Sequence, residues 1–170
     1  LELDEIKNII LNVKEKKING INVTVPFKKD VIPYLDKLSL EAQNTQSVNT
    51  IYLENGETVG HNTDISGFEI GIKNTEFDFF NKDVLILGAG GVVSSLIFAL
   101  NKMKVSNIFL SNRTKSKAEN IKNLFKNIKI LEWGEVPECD IVINATTIGL
   151  NENDDLNIDF SKLRKNKLFY

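Results

Sequence analysis

The sequence is short of the side chains that bind metals and build disulfides, with one cysteine, Cys139, and one histidine, His61. A lone cysteine excludes a disulfide framework within the chain and fits a reducing compartment. One residue of each kind cannot form a histidine–cysteine metal cluster, so no metal is expected. No apolar run approaches the length of a membrane span, and Leu1 to Lys17 lacks the layout of a signal peptide. Excess charge is missing too. The 21 Lys+Arg against 23 Asp+Glu, a formal net charge of -2, leave no basic footprint for nucleic acid or an anionic membrane. There is no low-complexity tract and no internal repeat. What is present is a globular composition, 42% hydrophobic and 26% charged over 170 residues, enough for one ordinary domain or two small ones. The expectation is a cytoplasmic protein, monomer or homodimer, with a small-molecule partner and no nucleic-acid or membrane partner.

In the first third of the chain, Leu1 to Lys17 has apolar residues at helical spacing (Leu3, Ile6, Ile9, Ile10, Val13), and Asn19-Gly20 reads as its stop. Ile21 to Val25 is a β-branched strand that Pro26 ends, since proline has no N–H for a ladder. A helix is expected over 28–35 and a capped turn at Ser39-Leu40-Glu41-Ala42. Val48 to Leu53 and Thr58 to His61 are strands joined by a turn carrying Asn55-Gly56, a hairpin signature. Gly67 to Phe80 reads as a helix linking two lobes.

From Asp83 the pattern becomes strict β-α-β alternation. Val84-Leu85-Ile86-Leu87 is a continuous apolar run of the kind found in buried parallel strands. Gly88-Ala89-Gly90-Gly91 follows, then a helix from Val92, and further strands at 107–111, 129–131, 140–144 and 167–170 alternate with one more helix. The fold class is α/β: a Rossmann-type, doubly wound parallel sheet over residues 82–170, preceded by a partial α/β substrate lobe over 1–66 and a linking helix over 67–81.

Two clusters could carry chemistry. The turn Gly88-x-Gly90-x-x-Val93, between a buried strand and a helix, has the context of a dinucleotide fingerprint, with the pyrophosphate at the helix N-terminus. Val93 stands where glycine or alanine is usual, so looser helix–strand packing is expected there. The next strand ends Ser111-Asn112-Arg113-Thr114 with Lys117 a turn later. An NAD site usually has an acid at this point; here there is none, and two cations and a hydroxyl can meet an extra phosphate, which points to NADP. In the first lobe Asn22, Thr24, Lys28, Asn49, Thr63 and Asp64 all lie at strand ends, a set suited to a hydroxylated ligand. An ordinary strand end with a solvated lysine would leave the same residues, and spacing alone leaves both readings open. His61 is read as a strand residue rather than a titrating one.

Asn22-Val23-Thr24-Val25-Pro26-Phe27-Lys28, Val48-Asn49-Thr50 and Gly60-His61-Asn62-Thr63-Asp64 resemble the three substrate-lobe signatures of shikimate dehydrogenases. Gly88-Ala89-Gly90-Gly91, Asn112-Arg113-Thr114 and Asn144-Ala145-Thr146 resemble the cofactor-lobe signatures of the same family, in the same order. The resemblance implies an NADP-dependent oxidoreductase that reversibly reduces 3-dehydroshikimate to shikimate, in the pathway to aromatic amino acids. By position it makes Lys28 the catalytic lysine and Asp64 its partner at a substrate hydroxyl, with Asn22, Thr24 and Asn49 as substrate ligands. Gly88, Ala89, Gly90, Gly91 and Val92 would wrap the pyrophosphate. Asn112, Arg113, Thr114 and Lys117 would hold the adenosine 2′-phosphate, and Thr146 and Thr147 would lie near the cofactor.

Several positions depart from the family pattern. Gln46-Ser47 replaces glycine-alanine, Ile65 replaces a glycine after Asn-Thr-Asp, and Thr147-Ile148-Gly149-Leu150 varies a Ser-x-Gly-Met pattern. The family's N-terminal Ser-x-Ser motif and its C-terminal substrate residues have no counterpart here. The chain is therefore expected to be the middle of a longer enzyme, binding NADP weakly and turning over little by itself. The alternatives are a quinate-type dehydrogenase of the same family, or a non-catalytic NADP-binding relative.

Overall fold

The computed structural model describes residues 3–170, with side chains from Glu5 onward. The chain divides into two compact units, Leu1–Ile70 and Gly71–Tyr170. In the first, helix α1 (Leu3–Lys14) buries Ile6, Ile10 and Val13. The expected helix start at Leu1 and the side chain of Leu3 lie outside the described residues. The helix ends before Lys17 because the backbone closes it. Lys16 takes a left-handed φ of 60°, and the Lys17 N–H reaches back to the Asn12 carbonyl at 2.9 Å. Gly20, expected as the stop, instead opens strand β1 (Gly20–Asn22), where a Cβ would lie 2.7 Å from the Ile51 carbonyl oxygen.

No regular α-helix forms over 28–35. The chain passes through turns, after a cis Val25–Pro26 peptide, into one 3₁₀ turn at Ile32–Tyr34. Pro33 lacks an N–H and disfavours a helical Ile32, while the Lys28 carbonyl accepts instead from Val48 N–H at 2.8 Å. Strand β2 (Lys37–Leu38), helix α2 (Leu40–Thr45), β3 (Thr50–Glu54) and β4 (Glu57–His61) follow. The hairpin turn has Asn55 and Gly56 both at positive φ, 51° and 84°, the left-handed pair that matches strand twist. The sheet order is β1-β3-β4-β2, with β2 parallel to β4 and the other pairs antiparallel. Ile6, Ile10, Val31, Ala42, Val48 and Ile51 form its core.

Helix α3 runs Asp64–Lys73, displaced from the expected 67–80. It begins early because the Asn62 side-chain oxygen accepts from the Asp64 N–H at 3.0 Å. It stops where the Thr75 hydroxyl donates to the Ile72 carbonyl at 2.7 Å and Glu76 turns to φ 55°.

The second unit contains β5 (Asp83–Leu87), α4 (Val93–Lys102), β6 (Asn107–Ser111), α5 (Lys115–Leu124), β7 (Ile128–Leu131), β8 (Ile141–Asn144) and β9 (Leu168–Phe169). All five strands are parallel, in the order β7-β6-β5-β8-β9. The chain runs from β5 outward through β6 to β7 and then crosses back to β8 on the other side of β5, which creates a switch point beyond the C-terminal ends of β5 and β8. Val84 to Leu87 are fully buried, as the unbroken apolar run requires, and Val93 is fully buried on α4. Cys139 is buried beside Asp140, and burial together with that carboxylate pushes its thiol up to about 11.

At the opposite end of the sheet, Arg164 pins the beginnings of two strands. It donates to Asp140 at 2.6 Å and to Asp83 at 3.0 Å, and Asp140 also accepts from the Asp83 N–H at 2.9 Å. The carboxylates are 8% and 14% exposed, while the arginine is 39% exposed. Removing the arginine leaves two nearly buried anions facing one another. Arg164→Ala is expected to lower the midpoint of chemical denaturation. An unchanged midpoint would show that the strand ladder alone holds these ends.

Two departures from the family pattern carry local strain. Gln46 caps α2 in the left-handed region at φ 49°, ψ 43°, where glycine is at ease. The Ser47 hydroxyl is buried and has no hydrogen-bond partner among the described residues. Restoring glycine and alanine (Gln46→Gly with Ser47→Ala) is expected to raise stability by ~1–2 kcal/mol and the melting temperature with it. A lower melting temperature for the pair would contradict this.

Candidate active site

In the first unit the turn after β1 carries Lys28, the residue before β3 is Asn49, and Thr63 and Asp64 sit at the start of α3. The Lys28 ammonium donates to Asp64 Oδ2 at 2.7 Å, and these side chains are 16% and 21% exposed. The Asn49 side-chain amide donates to the other oxygen, Oδ1, at 2.9 Å, while its own oxygen accepts from the Thr63 N–H at 3.0 Å. The carboxylate is therefore held from two sides, and its lysine is fixed by both backbone and side chain. His61 contributes only its carbonyl, which accepts from the Asn49 N–H at 3.0 Å. Ile65, the residue that replaces a glycine, lies in the first turn of α3 and is buried.

Asn22 and Thr24 are not part of this network. They border a cavity of about 260 Å³ that is otherwise apolar, lined by Ile6, Ile21, Val23 and Phe27 among others. The residues expected to bind one ligand thus fall into a tight polar quartet (Lys28, Asn49, Thr63, Asp64) and a separate polar pair at the rim of an apolar hollow.

In the second unit the glycine-rich turn lies at the switch point. Gly88 has φ 105°, and a Cβ there would lie 2.7 Å from the Ala145 carbonyl oxygen, so no other residue fits. The Gly88 N–H donates to the Ser111 carbonyl, and the Ala145 N–H to the Leu87 carbonyl, both at 2.8 Å. Gly90, Gly91 and Val92 are exposed, Ala89 is half-buried, and no side chain caps the first turn of α4. An uncapped first turn behind exposed glycines is the arrangement that accepts a pyrophosphate.

Beside it, Asn112 folds its side-chain amide onto the Thr114 carbonyl at 2.8 Å. Arg113, Thr114 and Lys117 are exposed, and among the described residues neither cation is in an ion pair. Sequence reasoning found no carboxylate at this strand end, yet the sheet supplies one. Ser111 is paired with Leu131, so Glu132 emerges from β7 next to this loop, and it holds the ammonium of Lys115 at 2.5 Å. Neither residue stood out in the sequence.

Thr146 is a builder of its loop. Its hydroxyl donates to the Asn144 side-chain oxygen at 2.7 Å and accepts from the Ile148 N–H at 3.0 Å, and the Asn144 amide donates to the Ile148 carbonyl at 2.8 Å. Thr147 is the exposed member of the pair. Asp154 closes the far side, accepting from the N–H groups of Gly149 and Asn151 at 3.0 and 3.1 Å, which lowers its carboxyl below the usual carboxylate range. Beyond Ala145, the bonds seen among the described residues come from within the loop, so it should loosen when they go. Asn144→Ala is expected to speed amide hydrogen exchange at Thr146 and Ile148 by ~5-fold or more while β5 amides stay protected. Unchanged exchange would show that the loop is held by other contacts.

These features define a two-unit α/β protein whose second unit is of the dinucleotide-binding type and whose first presents a lysine–aspartate pair. Comparison with known families is consistent at both ends. Residues 1–51 match the shikimate dehydrogenase substrate binding domain, and residues 71–153 match shikimate / quinate 5-dehydrogenase. The chain is 52% identical over its 170 residues to the shikimate dehydrogenase (NADP(+)) of Pelagibacter ubique strain HTCC1062, and covers 64% of that protein. A crystal structure of shikimate dehydrogenase from Aquifex aeolicus superposes with a TM-score of 0.83 at 33% identity, covering 99% of this chain and 64% of that one. The Thermus thermophilus enzyme, in complex with NADP(H) and shikimate, gives 0.77 at 29% identity over 88% of this chain and 56% of that one. The chain belongs to the shikimate dehydrogenase family. It spans less than two thirds of the length of these relatives.

Proposed function

We propose that this chain forms the central part of an NADP-dependent shikimate dehydrogenase, a cytoplasmic enzyme that reversibly reduces 3-dehydroshikimate to shikimate. The observation that carries the reading is the 2.7 Å contact of Lys28 with Asp64, braced by Asn49. In this reading residues 1–66 belong to the substrate-binding part, 67–81 to the link and 82–170 to the cofactor-binding part.

When bound, the nicotinamide supplies or accepts the hydride. In the reducing direction Lys28 gives its proton to the substrate oxygen that becomes the hydroxyl, and in the oxidising direction it takes that proton back. Asp64 keeps the ammonium aimed at that oxygen and offers its other oxygen to a neighbouring substrate hydroxyl. Asn49 and Thr63 fix the carboxylate so that this alignment needs little reordering on binding. In the second unit the turn from Gly88 to Val92 would wrap the pyrophosphate, with Gly88 seating the turn and the residues after it offering backbone N–H groups, and Asn112, Arg113, Thr114 and Lys117 would hold the 2′-phosphate. Thr146 and Thr147 would lie near the cofactor, on a loop shaped by Asn144 and Thr146 itself.

The test is shikimate-dependent NADPH formation by a polypeptide that extends this stretch to the length of its relatives. Lys28→Ala is expected to lower kcat by about 10²–10⁴-fold with KM little changed, because the lysine acts in the chemical step. A large rise in KM at unchanged kcat would make Lys28 a binding residue only. Turnover of quinate in preference to shikimate, measured by substrate competition, would assign the quinate-type activity.

A further inference from the structure

The adenosine end of the proposed cofactor site contains a charge pair that the family motifs do not include. Lys115 opens α5 directly after Arg113 and Thr114, and Glu132 leaves β7 in register with the end of β6. The two strand ends are tied together, since the Ser111 hydroxyl donates to the Glu132 carbonyl at 3.0 Å. The side chains meet at 2.5 Å, while 60% and 73% of their surfaces remain in solvent.

Resting on the NADP reading above, we infer that Lys115 and Glu132 form a charge gate that sets the preference for a 2′-phosphate over a 2′-hydroxyl. An unpaired carboxylate at this edge of a dinucleotide fold accepts from the ribose hydroxyl and repels a phosphate dianion, which is how NAD sites select their ligand. Lys115 cancels that carboxylate. Arg113 and Lys117 then act on the phosphate without opposition. The hydrogen bond to Glu132, together with the charge of that carboxylate, raises the Lys115 pKa above its usual value.

The experiment is calorimetric titration with NADP and with NAD at low ionic strength, on the polypeptide that extends this stretch to the length of its relatives, for the parent, Lys115→Ala, Glu132→Gln and the double variant. Lys115→Ala is expected to lower the NADP/NAD affinity ratio ~3-fold or more, Glu132→Gln to raise it by a similar factor, and the double variant to return it close to the parent value. Raising the salt should shrink all of these differences. NAD affinity reports that each variant retains its fold. If Lys115→Ala leaves the ratio unchanged, the gate is refuted. If the double variant stays as low as Lys115→Ala, the lysine acts without Glu132 and the gate is again refuted. If the parent itself binds NADP no tighter than NAD, the cofactor reading falls together with the gate.

Discussion

The contact between Lys28 and Asp64 joins chain segments that come from different elements, and most of the first unit can be read as what is needed to keep it. An ammonium and a carboxylate left free at a surface would sample many rotamers and gain little from meeting. Here the backbone removes that freedom before the side chains meet. Lys28 is anchored by its carbonyl to Val48 N–H, and Asp64 is set at a helix start by the Asn62 side chain. Asn49 then takes the second carboxylate oxygen, which leaves Oδ2 for the lysine. The hairpin turn at Asn55-Gly56 contributes at a distance, because its register decides that Asn49 and His61 are neighbours and hence that Asn49 reaches Thr63 and Asp64.

The second unit meets the opposite problem. It must leave backbone groups unsatisfied at one edge so that a ligand can satisfy them, while the rest of the sheet is fully bonded. Gly88 allows this by pressing against the Ala145 carbonyl, which seats the turn without any side chain filling the space in front of it. At the far edge, where no ligand is proposed, Arg164 neutralises Asp83 and Asp140 and the strand starts are closed. One end of the sheet is sealed by charge pairing and the other is kept open by glycine.

Much of this was legible along the chain. The hairpin, the buried run 84–87, the glycine turn and the quartet at Lys28 each depend on residues close in sequence or on a strong local rule. What failed had a competing cause that local patterns do not weigh. The helix expected over 28–35 lost to Pro33 and to a long-range bond from Val48 N–H. The helix expected over 67–80 moved forward because Asn62 starts it and Thr75 ends it. For Asn22 and Thr24, which line an apolar hollow apart from the quartet and remain proposed substrate ligands, strand alternation says which face a side chain takes and not what lies over it.

The carboxylate beside the proposed adenosine site shows the limit most clearly. The residues that follow β6 in the chain include cations and no acid. A sheet edge, however, is populated by the ends of neighbouring strands, and those strands are separated in sequence by an intervening helix. Pairing of Ser111 with Leu131 makes Glu132 a neighbour of Asn112 as surely as adjacency in the chain would. Whether that acid selects for a ribose hydroxyl depends on what neutralises it, and Lys115 does so from the first position of α5. Charge at such a site has to be summed across the edge of the sheet. On that count the motif's two cations keep their advantage because a third cation is spent on the acid beside them.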